Sequence, residues 1–137
     1  MKSEPLPLLM VSNHGDIVGG GELSLLDLLT ALDRCRWNPT VVVPTEGEVG
    51  DRCRELGIPT SVIPLPGLRY PNPAIVNSIA RLHALGRFTG SRLIHANGSR
   101  AMFYAGLTGI FLNQPVIWHV RVADRDAVWD RLLARLA

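Results

Sequence analysis

Over the 67 residues from Gly57 to Ala123 the sequence contains no aspartate and no glutamate. Lysine is nearly missing as well, with Lys2 alone against thirteen arginines, an excess that a codon preference would also produce. Aromatic residues make up only 6% of the chain, which leaves too few rings for a base-stacking nucleic-acid platform beside the arginines. Nucleic acid is therefore not an expected partner. The two cysteines are too few for a disulfide framework. At apolar helical spacings (Leu28-Leu32-Cys35 and Val49-Cys53-Leu56) they read as buried small hydrophobes in a reducing compartment. No C-x-x-C or H-x-x-x-H pair is present, so no metal site is expected. G-x-S-x-G is missing, which argues against an α/β-hydrolase, and neither G-x-G-x-x-G nor a Walker lysine follows the glycines.

Long apolar runs are also scarce. Leu8–Val11 is too short for the apolar core of a signal peptide. Ala101–Trp118 is uncharged for eighteen residues, but Asn113, Gln114 and Pro115 divide it into a helix-like and a strand-like piece, so it is not a spanning helix. A cytoplasmic protein is the expectation. What is present is 137 residues, 47% of them hydrophobic, the composition of one globular domain over 1–137. The net charge of +2 is unevenly spread. Residues 1–56 hold nine acids against five bases, whereas Arg69, Arg81, Arg87, Arg92, Arg100 and Arg121 stand unopposed in 57–123. A surface of that kind fits an anionic partner such as a phosphate or a lipid headgroup.

Short apolar runs alternate with amphipathic ones. Strands are expected over Leu8–Ser12, Thr40–Val43, Thr60–Ile63, Leu93–Ala96 and Val116–His119. Helices are expected over Glu22–Arg34, Glu48–Leu56, Ala74–Leu85, Ala101–Leu112 and Asp126–Leu136. Gly57 and Gly86 close two of them. Five alternations with uniformly apolar strands specify an α/β fold, a Rossmann-like doubly wound parallel sheet with helices on both faces.

Ligands of such sheets bind beyond the carboxyl ends of the strands. The segment Ser12-Asn13-His14-Gly15-Asp16-Ile17-Val18-Gly19-Gly20-Gly21-Glu22 joins the first strand to the first helix. Its three glycines permit close backbone approach, and the helix start behind them offers N–H groups to a phosphate or diphosphate. The same segment also reads as a flexible turn capped by Glu22. His119 at the tip of the fifth strand, two residues before Arg121, is a candidate for positioning a hydroxyl or stabilising developing charge; a hydrogen-bonded structural histidine is the alternative. Asn97 and Ser99 stand where they would either contact a ligand or cap the following helix. His14 lies in the glycine loop. His95 and His83 read as structural.

The order of Gly19-Gly20-Gly21-Glu22, a Leu-rich helix, Thr40–Pro44, Gly47 and Leu56-Gly57-Ile58-Pro59 resembles the N-terminal domain of family 4 glycosyltransferases. Leu93–Asn97 and Pro115–Arg121 fit the same pattern, so the resemblance runs from about Leu8 to Arg121. It implies the N-terminal half of a GT-B enzyme, in which two Rossmann-like domains face each other across a cleft. Gly19, Gly20 and Gly21 would lie beside the donor diphosphate. His119 would act near the transferred sugar. Arg121 would follow it on an anion-binding rim; Asn97, Ser99 and His14, nominated above by their positions after the strands, are the further candidates for acceptor or anion binding. The donor would be a nucleotide-diphosphate sugar, with no tightly bound cofactor, and the acceptor a lipid-linked or polysaccharide precursor. Val122 stands where the family often places an acid. The family's C-terminal domain, which holds most of the donor, would be a required partner, so this chain alone would be inactive. Contact with the inner face of an anionic membrane suits the arginines. The competing reading is a non-catalytic Rossmann-like module for a phosphorylated ligand or a protein partner.

Overall fold

A computed structural model describes residues 3–120 and 127–137 of the protein. Among the described residues strands and helices alternate: β1 (Leu6–Ser12), α1 (Gly20–Ala31), β2 (Trp37–Val43), α2 (Glu48–Glu55), β3 (Thr60–Val62), α3 (Ala74–Thr89), β4 (Leu93–Asn97), α4 (Ser99–Leu112), β5 (Val116–His119) and α5 (Ala127–Ala134). Every strand pair is parallel, in the order β3-β2-β1-β4-β5.

The apolar run of β1 is buried throughout Leu8–Val11 because both faces of the sheet are covered. Leu9 and Val11 pack with Val42, Ile94, Ala96 and Val116 beneath α3, α4 and α5. Leu8 and Met10 point the other way, with Val41 and Val43, toward Leu25, Leu29, Val49 and Cys53 of α1 and α2. Helix α3 carries the chain back from the β3 edge to a position beside β1. Strand order therefore reverses between β1 and β4, and a crevice opens beyond their carboxyl ends.

Several boundaries differ from the sequence expectation, each for a physical reason. Strand β2 begins at Trp37 rather than Thr40. Pro39 is tolerated there because β3 pairs only from Val41 onward, so no ladder hydrogen bond is lost. Helix α1 runs from Gly20 to Ala31, which puts Gly20 and Gly21 in its first turn instead of in the loop. Past its end, the Asp33 carbonyl accepts from the N–H groups of Arg36 and Trp37, and the Asp33 side chain accepts from Cys35 N–H. That turn leaves Cys35 exposed, correcting the buried position expected for it; Cys53 is buried as expected. Helix α3 passes through Gly86 and stops at Gly90, whose φ of 63° suits glycine. Gly86 serves a helix crossing instead: a Cβ there would lie 2.6 Å from Leu112 Cδ1. Of the expected Asp126–Leu136 helix, Asp126 lies outside the described residues.

Candidate functional site

Helices α1 and α4 both start at the crevice between β1 and β4, so two helix N-termini converge on it. Between them is a hollow of about 360 Å³ lined by Asn13, His14, Val18, Gly19, Gly20, Gly21, Glu22, Asn97, Gly98 and Ser99. Four sequence-nominated features, the glycine turn, His14, Asn97 and Ser99, thus meet at one place.

The loop from β1 to α1 is held from several sides. Ser12 Oγ donates to the His14 carbonyl at 2.9 Å. Asn13 Oδ1 accepts from Ala101 N–H at 2.9 Å, satisfying a donor in the first turn of α4. The Gly15 carbonyl accepts from Val49 N–H at 2.8 Å, and Asp16 Oδ1 accepts from Glu48 N–H at 3.1 Å, which fixes the loop to the start of α2. The glycine turn is therefore delivered to the crevice by a braced segment.

Glu22 is 5% exposed and binds two groups. Gly19 N–H donates to its Oε2 at 3.1 Å, and His14 Nδ1 lies 2.9 Å from its Oε1. A carboxylate only accepts, so Nδ1 carries the proton and Nε2 is the ring's second hydrogen-bonding atom. Glu22 caps the helix entrance, as one reading of the sequence held, but its carboxylate is turned onto Gly19 and His14. By position, the N–H groups of Gly20 and Gly21 have no intrahelical acceptor. An added Cβ at Gly19 or Gly20 would meet no protein atom within 4 Å, and Gly19 has an ordinary extended backbone with φ of −172°. Packing thus gives no reason for glycine at these two positions.

Asn97 and Ser99 do not cap α4. The cap residue is Gly98, and the side chain reaching a first-turn N–H, that of Ala101, belongs to Asn13. Asn97 is buried, and its Nδ2 donates to the Gly21 carbonyl at 3.1 Å, tying β4 to the first turn of α1. Ser99 is the first residue of α4 and lines the hollow. His119 stands one strand further out: it is in register with Asn97, and its ring meets His95 edge to face at 5.6 Å. It is half-buried, and it is not among the residues lining the hollow. Arg121 lies outside the described residues. Among those described, no three His, Cys, Asp or Glu side chains cluster where they could hold a metal ion.

Asn13, Gly15 and Asp16 lie in the nominated segment and Gly98 in the turn before α4, but the sequence alone assigns none of the four an individual role. Gly98 has φ of 110°, and a Cβ on it would come 2.7 Å from Asn13 Cγ. The Asn-Gly-Ser signal before α4 marks the turn. Nothing in the sequence marks the contact across to Asn13.

The fold and this crevice define a Rossmann-like domain whose ligand edge lies between β1 and β4. The glycosyl transferase 4-like domain family matches residues 19–137, and the chain belongs to it. Solved structures share the architecture. They include Anabaena Alr3699/HepE in complex with UDP (TM-score 0.73, 20% identity, 96% of this chain and 35% of that one). Acinetobacter baumannii MurG aligns with a TM-score of 0.76 at 17% identity, over 97% of this chain and 40% of that one. A UDP-N-acetylglucosamine 2-epimerase aligns with a TM-score of 0.62 at 12% identity, over 98% of this chain and 40% of that one. The chain thus spans little more than a third of the length of these proteins, and at such identities the likeness shows the fold alone. No curated protein matches the sequence.

Proposed function

We propose that this chain is the N-terminal, acceptor-side half of a nucleotide-sugar-dependent glycosyltransferase that moves a hexosyl group to a saccharide or lipid-linked acceptor. The observation that carries the reading is the glycine turn. At the crevice between β1 and β4, Gly19 and Gly20 are glycines that packing does not require. A donor diphosphate against the Gly20 and Gly21 N–H groups accounts for them. Family membership and the UDP bound by HepE, which shares the fold, support the same donor class, a nucleotide-diphosphate sugar.

In this reading His119 is the residue beside the transferred sugar. His14, Asn97 and Ser99 border the donor's anionic part, and Arg121 lies on the anion-binding rim. A second Rossmann-like domain completes the donor site, and the chain by itself transfers nothing. The test uses the protein as purified from its source cells, assayed for donor turnover by release of the nucleotide diphosphate. The expected result is a native mass well above 15.0 kDa and a loss of roughly 10²-fold or more in turnover for His119→Ala with the fold intact. Turnover near normal in that variant would return His119 to a structural role. A native mass of 15.0 kDa without donor use would favour the non-catalytic module.

A peripheral contact with an anionic membrane belongs to the same proposal. Phe88 is 89% exposed and Phe111 66% exposed. Arg87, Arg92 and Phe111 line one hollow at the amino edge of β4, and among described residues 57–120 no carboxylate opposes them. No described helix is long and apolar enough to cross a membrane. Co-sedimentation with vesicles containing acidic phospholipid is expected to weaken with salt and to fail in Arg87→Glu/Arg92→Glu. Binding indifferent to both would remove this contact.

A further inference from the structure

Two further hollows continue the glycine crevice along the carboxyl edge of the sheet. One, of about 380 Å³, shares Asn13, His14 and Val18 with it and extends past Pro44 and Pro64–Pro66 to Arg100. The next, of about 470 Å³, is lined among the described residues by Gly67, Leu68, Arg69, Arg100 and Trp129. Arg100 borders both, so the three hollows adjoin in a row, a trough whose far end carries two guanidinium groups and an indole.

Neither arginine has an ion-pair partner among the described residues: the pairs there belong to His14, Arg52 and Arg54. Arg69 lies over the Tyr70 ring, 5.8 Å from its centroid. Trp129 is held from behind. It stacks on Phe103 with centroids 6.4 Å apart and planes at 19°. Phe103 in turn meets Tyr104 edge to face at 5.3 Å. Tyr104 is fully buried, and its hydroxyl donates to the Pro66 carbonyl at 2.7 Å, next to Gly67 of the hollow. This bracing leaves Trp129 39% exposed on an ordered support.

We propose that this end of the trough is a subsite for an acidic sugar of the acceptor. Trp129 offers a flat apolar surface to the C–H face of a pyranose ring, and Arg69 and Arg100 bind an anionic oxygen group on that ring. The ligand class is a saccharide bearing a carboxylate or a phosphate, since the guanidinium fork suits either. The assignment rests on the acceptor-side reading given above and supplies its substrate class.

The test is a binding titration of the protein without donor, followed by tryptophan fluorescence. Its failure is therefore separate from a failure of donor turnover. The probes are glucuronate, glucose 6-phosphate, neutral glucose and inorganic phosphate. Both anionic sugars, or one of them, are expected to quench fluorescence and to bind at least tenfold tighter than glucose. If only one binds, it names the source of the charge. Arg69→Gln and Arg100→Gln are each expected to weaken that binding about tenfold, while the unfolding midpoint stays put because both side chains are exposed. Trp129→Phe is expected to abolish most of the quench. Glucose binding as tightly as the anionic sugars would overturn the proposal, as would affinity unchanged in the doubly substituted arginine variant. Inorganic phosphate binding as tightly as glucose 6-phosphate would overturn it too, leaving a bare anion site.

Discussion

Replacing Gly20 by alanine separates a ligand explanation of the glycine turn from a purely structural one. Gly20 is the first residue of α1, has no positive φ, and leaves open space where a Cβ would go. Alanine therefore fits the native backbone without strain and reduces the freedom of the unfolded chain. The variant should gain about 0.5–1 kcal/mol in stability, a rise of roughly 2–4 °C in Tm. Ligand binding should move the other way. A diphosphate oxygen bonded at about 2.9 Å to the Gly20 or Gly21 N–H passes close to the added methyl, so the bond lengthens or breaks. Losing one charge-assisted bond costs about 1.5–3 kcal/mol, roughly ten- to hundredfold in Kd. Calorimetric titration with UDP, paired with a thermal scan, measures both effects. A higher Tm with UDP affinity unchanged would mean that the glycine is only part of a turn. A lower Tm would mean that the loop does not follow the described path.

Gly98→Ala should behave in the opposite sense. At φ of 110° the new Cβ would lie 2.7 Å from Asn13 Cγ, displacing the side chain that caps Ala101. Strain and the lost cap together cost about 2–4 kcal/mol, and a urea midpoint within error of the parent would refute this account of the β1–α4 contact. Burial raises the Cys53 thiol pKa from 9.0 to about 11, against a smaller opposing effect of Arg54. The folded state therefore holds that proton where the unfolded state has released it. Stability is unaffected by Cys53 below pH 9 and falls by about 2–3 kcal/mol at most between pH 9 and 11; in Cys53→Ala this part of the slope should vanish. Under native conditions a thiol reagent should modify Cys35 and spare Cys53, and equal rates at the two would contradict the burial.

The sheet was legible because each strand is an apolar run with its own turn signals, and β5 has the expected Val116–His119 limits. The converging glycine turn and Asn97–Ser99 followed from parallel topology, which collects the segments after β1 and β4 at one edge. Contacts between distant segments were not legible. Asn13 capping a helix 88 residues away, Gly86 as a crossing point with Leu112 and the burial of Glu22 against His14 have no local periodicity to reveal them. Cys35 misled because its helical spacing continued past Ala31, where Asp33 draws the backbone into a turn instead.

Arg92 and Gly98 stand at opposite ends of β4, whose five residues separate them by roughly 20 Å. The phenylalanine and arginine end is therefore turned away from the trough, with the sheet between them. A bilayer gripped by Phe88 and Phe111 would hold the mouth of the trough toward the water, on the far side of the domain from the lipid. An acceptor would then have to arrive either as a dissolved saccharide or at the tip of a carrier long enough to reach around the domain. In this arrangement the membrane serves as a mooring for the protein more than as the source of what enters its site.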